Sequence, residues 1–179
     1  DPAPKNGSRN RDQPNVQAAK DRTESALEQF EKSGKLPAMD ETAPIGSLLE
    51  TATPGDYVVI MAYIPQSSAV DSALVDLRRR VTERFGIATT MGYGPRFLHS
   101  TGQLHKGGPA SGLFLQITAE HAQSVDIPGT PFTCSALADA QALGDLQALR
   151  AAGRRSIRVD VGSSPEQVIR KMTKELASA

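Results

Sequence analysis

The spacing of apolar residues divides the chain into alternating helices and strands. Four stretches carry apolar residues at every third or fourth position, as amphipathic helices do. They are 15–32, 68–85, 135–152 and 164–176. Four other stretches are rich in β-branched and other apolar residues, which is typical of strands. They are 57–64, 87–93, 112–118 and 156–162.

This alternation predicts an α/β fold, in which a mainly parallel sheet of about four or five strands is flanked by helices and preceded by a helical segment. Residues 1–12 are polar and lack periodicity, which is typical of an arm or linker. We divide the chain into an arm, helix and linker over 1–53, with a short helix at 47–50, and an α/β domain over 54–179. Since the first residue is Asp1 rather than Met, we expect a piece of something longer.

Composition excludes several classes of partner. The 20 basic and 20 acidic residues balance, which argues against nucleic acid or a membrane surface held by bulk electrostatics. No apolar run approaches the ~18 residues of a membrane span. A single cysteine, Cys134, excludes an intrachain disulfide and favours the reducing cytoplasm. We expect that thiol to be buried and structural.

The segment YGPRFLHSTGQLHKGGP, 93–109, concentrates the candidate chemistry. It shows no clear period, so we predict a long loop that leaves the carboxyl end of the second strand, where parallel sheets bind ligands. Arg96 and Lys106 are candidate phosphate ligands, and the glycines let backbone amides approach an anion. His99 and His105 could act as general acid or base. A purely structural crossover loop is the alternative.

The remaining polar residues give weaker signals. No HxH or HxxxH spacing occurs, and the nearest carboxylates, Glu120 and Asp126, lie in another segment, so we expect no metal site. His121 is expected to be a surface histidine. By composition alone, Lys20 is a solvated charge on a helix.

Two groups of motifs resemble a known family. YGPRFLHSTGQLHKGGP, with FLQIT and DAQALGDLQALRAAGRR, resembles the C-terminal region of long bacterial glucose-6-phosphate isomerases, notably those fused to transaldolase. DQPNVQAAK, 12–20, is similar to the DQWGVELGK-type motif of ordinary members, although Pro14 replaces an aromatic residue and Asn15 a glycine. The resemblance implies a ring-opening role for Lys20 and a ligand-binding role for Gln13.

QLHKG is also similar to the QLIHQG segment that carries the family's ring-opening histidine, which would give His105 that role. The order differs, because QLIHQG precedes the lysine helix in ordinary members, whereas His105 follows Lys20.

The resemblance implies aldose–ketose isomerisation between glucose 6-phosphate and fructose 6-phosphate, a step of glycolysis and gluconeogenesis, and in the fusion enzymes a link to the pentose phosphate pathway. It implies no cofactor. The expected partners are a sugar phosphate, an upstream isomerase core and further copies of the chain. We find neither the family's glutamate motif nor its Ser/Thr-rich phosphate loop, so we expect the isolated chain to be nearly inactive. The alternatives are a non-catalytic domain that binds a sugar phosphate and a domain that mediates assembly.

Overall fold

A computed structural model describes residues 14–38 and 42–178 of the chain. Within these residues the chain forms six helices and four strands. The helices are α1 (Pro14–Ser33), α2 (Ile45–Leu49), α3 (Ser68–Phe85), α4 (Arg96–Gly107), α5 (Cys134–Ala151) and α6 (Pro165–Ser178). The strands are β1 (Tyr57–Tyr63), β2 (Ala88–Tyr93), β3 (Gly112–Thr118) and β4 (Arg155–Asp160). The predicted arm over 1–12, and Gln13 with it, lies outside the described residues.

The four strands form one parallel sheet in the order β2-β1-β3-β4. Tyr57, at the start of β1, lies opposite Ala88 on one side and Gly112 on the other. Leu113 of β3 lies opposite Arg155 of β4. The predicted α/β fold with a helical segment before the sheet is confirmed, with four strands in the described part of the chain.

The strand order reverses once, and this decides which helix covers which face. The chain passes from β1 outward to β2, then crosses back to β3 and continues to β4. Since crossovers between parallel strands are right-handed, a reversal moves the connecting helix to the opposite face of the sheet. Accordingly α3 packs on one face, and α4 and α5 pack on the other. The reversal also leaves a switch point between the carboxyl ends of β1 and β3, where α/β proteins bind ligands.

The alternating side chains of β1 supply both cores. Val58 and Ile60 face α2, α3 and α6, where they join Leu74 and Ile169 in a buried cluster. Val59 and Met61 face α4 and α5 and pack with Phe114, Leu98 and Leu149. Burial on both faces accounts for the unbroken apolar run of β1 in the sequence.

The N-terminal helix α1 forms a further layer outside α5. Ala26 of α1 packs against Ala140 and Leu143 of α5. Gly144 brings the two backbones close together, since a Cβ atom at this position would lie 2.9 Å from the carbonyl oxygen of Ala19. Helix α2 also contributes buried residues to the core of the α/β unit. The division of the chain after residue 53 stays a prediction.

Two predictions are wrong. The segment 93–109, which was predicted to be a loop, contains helix α4. Phe97, Thr101 and His105 recur in this helix at intervals of four residues, but only Phe97 is apolar, so the sequence shows no helical pattern of apolar residues. Cys134 is exposed at the first turn of α5 and is not a buried thiol.

No helix in the described part of the chain is long and apolar enough to cross a membrane.

Candidate functional site

Helix α4 separates side chains that the sequence placed in one loop. Arg96 is exposed in the first turn, and His105 and Lys106 lie in the last turn. With a rise of about 1.5 Å per residue, ten residues place Arg96 and Lys106 roughly 15 Å apart along the helix axis. Arg96 therefore lies near the carboxyl end of β2, whereas His105 lies near the start of β1. The side chain of His99 lies outside the described residues.

His105 is enclosed by aromatic rings. Its side chain is buried, and its Nδ1 lies 3.0 Å from the hydroxyl of Tyr57. The rings of Tyr57, Phe97 and Phe114 all have centroids within 6 Å of the imidazole centroid. Burial, and secondarily the charge of Lys106, lowers the pKa of His105, so the ring is neutral at pH 7. Its Nε2 has no hydrogen-bond partner in the described part of the chain.

Lys106 is held in a buried group with Asp145 and Tyr63. Its Nζ donates to Oδ1 of Asp145 at 2.6 Å, and the Tyr63 hydroxyl donates to Oδ2 at 2.5 Å. Burial, together with the Asp145 carboxylate, raises the pKa of Tyr63 well above its usual value, so the hydroxyl stays protonated and remains a donor. The charge on Lys106 is therefore matched inside the fold.

A cleft of about 500 Å³ lies between α1, α4 and α5. This volume is typical of a small-molecule site. Apolar side chains form much of its wall, namely Ala19, Leu27, Pro95, Leu98 and Phe132. The ionisable residues that line it are Lys20, Glu24, Glu28, Glu31, Lys106 and Asp145.

The cleft brings together the two segments that the sequence analysis connected through resemblance. Lys20 belongs to DQPNVQAAK and Lys106 to QLHKG, and both line the cleft. Lys20 is exposed and forms no ion pair with any described residue. Asp145 neutralises the charge of Lys106. The other charged side chains that line the cleft are Lys20 and three glutamates, so the cleft has two net negative charges. His105 does not line the cleft.

A second arrangement, which the sequence did not predict, lies at the carboxyl edge of the sheet. Nε2 of His121, in the connection after β3, lies 2.9 Å from Oδ1 of Asp139 on α5. Beside this pair, Arg158 donates to the Thr118 hydroxyl at 3.0 Å and to Asp160 at 2.6 Å. The position of His121 shortly after β3, a strand of the switch point, was the signal that could have indicated a site. Within the described residues, no group of three or more His, Cys, Asp or Glu side chains is arranged to hold a metal ion.

The comparisons with known proteins show the fold and no more. No family model and no curated protein matches the sequence. The structure is similar to the crystal structure of hypothetical protein TT0462 from Thermus thermophilus, with a TM-score of 0.60 and 20% sequence identity. The match covers 90% of this chain and 43% of that chain, so this chain spans less than half the length of that protein.

Proposed function

We propose that this chain is part of an aldose–ketose isomerase that interconverts glucose 6-phosphate and fructose 6-phosphate, and that it contributes Lys20. One observation carries the proposal. Lys20 and Lys106, from the two segments that resemble the glucose-6-phosphate isomerases, line one cleft of small-molecule size. The two segments are separate in the sequence, and only the packing of α1 beside α4 and α5 brings them together.

The proposed chemistry is ring opening followed by proton transfer. The Lys20 ammonium group donates a proton to the ring oxygen as the ring C–O bond breaks, while the anomeric hydroxyl gives up its proton to a base. A carboxylate then moves a proton between C2 and C1 through an enediol. Because this sequence lacks the family's glutamate motif, we assign that carboxylate to the upstream isomerase core and, of the groups that transfer protons, only Lys20 to this chain.

The phosphate group has to be bound outside the acidic part of this cleft. Glu24, Glu28 and Glu31 would repel a phosphate dianion, and Lys106 is already neutralised by Asp145. Arg96 is exposed and directly follows Pro95, which lines the cleft where α4 begins. Arg96 is therefore our candidate for the phosphate-binding cation.

The test is a coupled assay on the natural polypeptide that contains this sequence, with fructose 6-phosphate as substrate and glucose-6-phosphate dehydrogenase as the reporter. Lys20→Ala should lower kcat by about 10²-fold or more, as expected for a lost proton donor. Lys32→Ala, an exposed lysine in the last turn of the same helix, is the matched control and should retain normal turnover. Arg96→Ala should raise KM. Turnover that is unaffected in Lys20→Ala would refute the role of Lys20.

A second candidate is a non-catalytic domain of the same enzyme, which binds a sugar phosphate or mediates assembly. It is favoured by the burial of His105, which does not line the cleft, and by the ion pair with Asp145 that already neutralises Lys106. Under this reading, Lys20→Ala and Arg96→Ala leave turnover unchanged. An isomerase core of the same polypeptide, a second copy of the chain and the cytoplasm remain the proposed partners and location.

A further inference from the structure

Two crevices meet at His121 and Asp139, on the carboxyl edge of the sheet. The larger, about 440 Å³, lies beyond the ends of β3 and β4, and the smaller, about 220 Å³, lies beyond the ends of β1 and β2. Both are lined by His121 and Asp139. The two crevices therefore extend across the switch point between β1 and β3, and they are distinct from the cleft that Lys20 lines.

The His121–Asp139 pair leaves one ring nitrogen available. The Asp139 carboxylate lies 2.9 Å from Nε2 of His121, so in the neutral ring Nε2 carries the proton and donates it to the carboxylate. Nδ1 is then an acceptor with a free lone pair, and it makes no hydrogen bond with any described residue. An aspartate that orients a histidine in this way prepares the second nitrogen to accept a proton or hydrogen bond from a ligand.

The charges of the larger crevice exclude an anion. Three carboxylates, those of Glu120, Asp139 and Asp160, and one guanidinium, that of Arg158, leave two net negative charges when His121 is neutral. A phosphate or carboxylate ligand would be repelled. Two of the three carboxylates already accept hydrogen bonds, Asp139 from His121 and Asp160 from Arg158, and within the described residues no group of three or more His, Cys, Asp or Glu side chains is arranged to hold a metal ion. A small organic cation is the competing ligand, and the test below distinguishes it from a polyol. Carboxylate oxygens with spare lone pairs are suited to hydroxyl donors.

The smaller crevice adds an apolar wall. Ile64, Pro65 and Ala138 line it beside His121 and Asp139. A polyol presents both C–H surface and hydroxyl groups, so it could contact this wall while its hydroxyls reach the polar side. Small-molecule sites commonly combine an apolar wall with a few positioned polar groups.

We propose that the combined crevice binds a neutral polyol, whose hydroxyl groups donate to Nδ1 of His121 and to the carboxylates of Glu120 and Asp160. The proposal goes beyond the isomerase function and does not rest on it, because it uses different residues on a different part of the molecule.

The test is an amide NMR titration of the full chain with myo-inositol and with D-glucitol, a cyclic and an acyclic polyol. We expect saturable shifts centred on residues 119–121 and 138–139. His121→Gln and Asp139→Asn should each weaken the affinity about tenfold, as expected for the loss of one or two hydrogen bonds. Glu175→Gln, on the exposed side of α6, is the matched control and should bind as the unmodified chain does. Retained amide dispersion in each variant shows that the fold is intact.

Three outcomes would overturn the proposal. The first is that neither polyol causes saturable shifts at these amides. The second is that His121→Gln and Asp139→Asn bind as tightly as the unmodified chain. The third is that glucose 6-phosphate or methylammonium binds at the same amides more tightly than the polyols, which would identify a charged ligand. Since binding is observed directly, a failure of the isomerase assay does not affect this result.

Discussion

The ammonium group of Lys106 lies 2.6 Å from the carboxylate of Asp145, and both side chains are nearly inaccessible to solvent. Because water is excluded, the two charges depend on one another. Removing one partner would leave the other charge buried and unmatched, which costs far more than the pair itself contributes.

Asp145→Asn should therefore destabilise the protein by about 3–5 kcal/mol, measured by urea unfolding at neutral pH. The double variant with Lys106→Met should regain much of this loss, because it removes the unmatched charge and keeps an acceptor for Tyr63. Lys171→Ala, which breaks an exposed pair with Glu175, is the control and should change stability by less than about 0.5 kcal/mol. A value for Asp145→Asn close to that of the control would mean that Lys106 is solvated.

The sequence predicted the elements whose ends carry local signals. Helix α3 begins after Ser67, whose hydroxyl accepts from the amide of Val70, and it ends at Gly86 with φ +65°. Its bounds over 68–85 were predicted to the residue. Helix α4 was missed because its inward face carries the polar residues Thr101 and His105, and because the helix contains Gly102. The helical period therefore does not appear in the sequence as a stripe of apolar residues.

The candidate sites were less predictable, because their partners are distant in the sequence. Lys106 was predicted as a phosphate ligand, but its partner Asp145 lies 39 residues further on and belongs to another helix. Asp139, which orients His121, is 18 residues away from it. Such pairings depend on how helices pack against the sheet, and no local pattern encodes them.

Gly144 should be required for the docking of α1. A helix-interior glycine normally gains up to about 1 kcal/mol on replacement by alanine. At Gly144, however, a Cβ atom would collide with Thr23 and approach the carbonyl oxygen of Ala19 at 2.9 Å. We expect Gly144→Ala to destabilise the protein and to make α1 more susceptible to limited proteolysis.

Gly46 offers the matched control, because it also lies in a helix but has no atom within 4 Å of the position that a Cβ atom would occupy. Gly46→Ala should leave stability unchanged or raise it by up to about 1 kcal/mol. If Gly144→Ala behaves in the same way as Gly46→Ala in thermal unfolding, the close packing of α1 on α5 is refuted.

His105 should make the stability depend on pH near neutrality. Burial lowers its pKa below the ordinary value of 6.5, so the unfolded chain takes up a proton before the folded chain does. The contribution of the neutral ring to stability is therefore complete at about pH 7.5 and decreases as the pH falls through 6.5. The groups that face the ring are Tyr57, Phe97 and Phe114, with Lys106 adjacent.

Urea unfolding at about pH 7.5 and pH 5.5 measures this effect. His105→Phe keeps an aromatic ring and His105→Gln does not, but neither side chain titrates, so both variants should show a smaller difference between the two pH values. An unchanged difference in both variants would assign the pH dependence to other groups.

The ion pair between Asp56 and Arg155 should make the stability of the fold depend on pH in the acid range as well. The Asp56 carboxylate accepts hydrogen bonds from both Nη atoms of Arg155, at 2.8 and 2.9 Å, and from the amide and hydroxyl of Thr53. These contacts, the Arg155 bonds first, lower the pKa of Asp56 from 3.8 to about 2. A lowered pKa stabilises the fold above the unfolded value, and this stabilisation is lost as the pH falls from 3.8 towards about 2.

Asp56→Asn should consequently cost about 1–3 kcal/mol at neutral pH, because hydrogen bonds to a charged group are lost. The cost should become small near the folded-state pKa and below it, where the carboxyl group of the unmodified chain is itself protonated. Glu83→Gln removes an exposed carboxylate beside Arg79 and Arg80 and should change stability by less than about 0.5 kcal/mol. Urea unfolding of both variants over this pH range measures how the cost of each substitution changes with pH. An equal cost for Asp56→Asn at every pH would show that the charge of this carboxylate does not hold β4 to the start of β1.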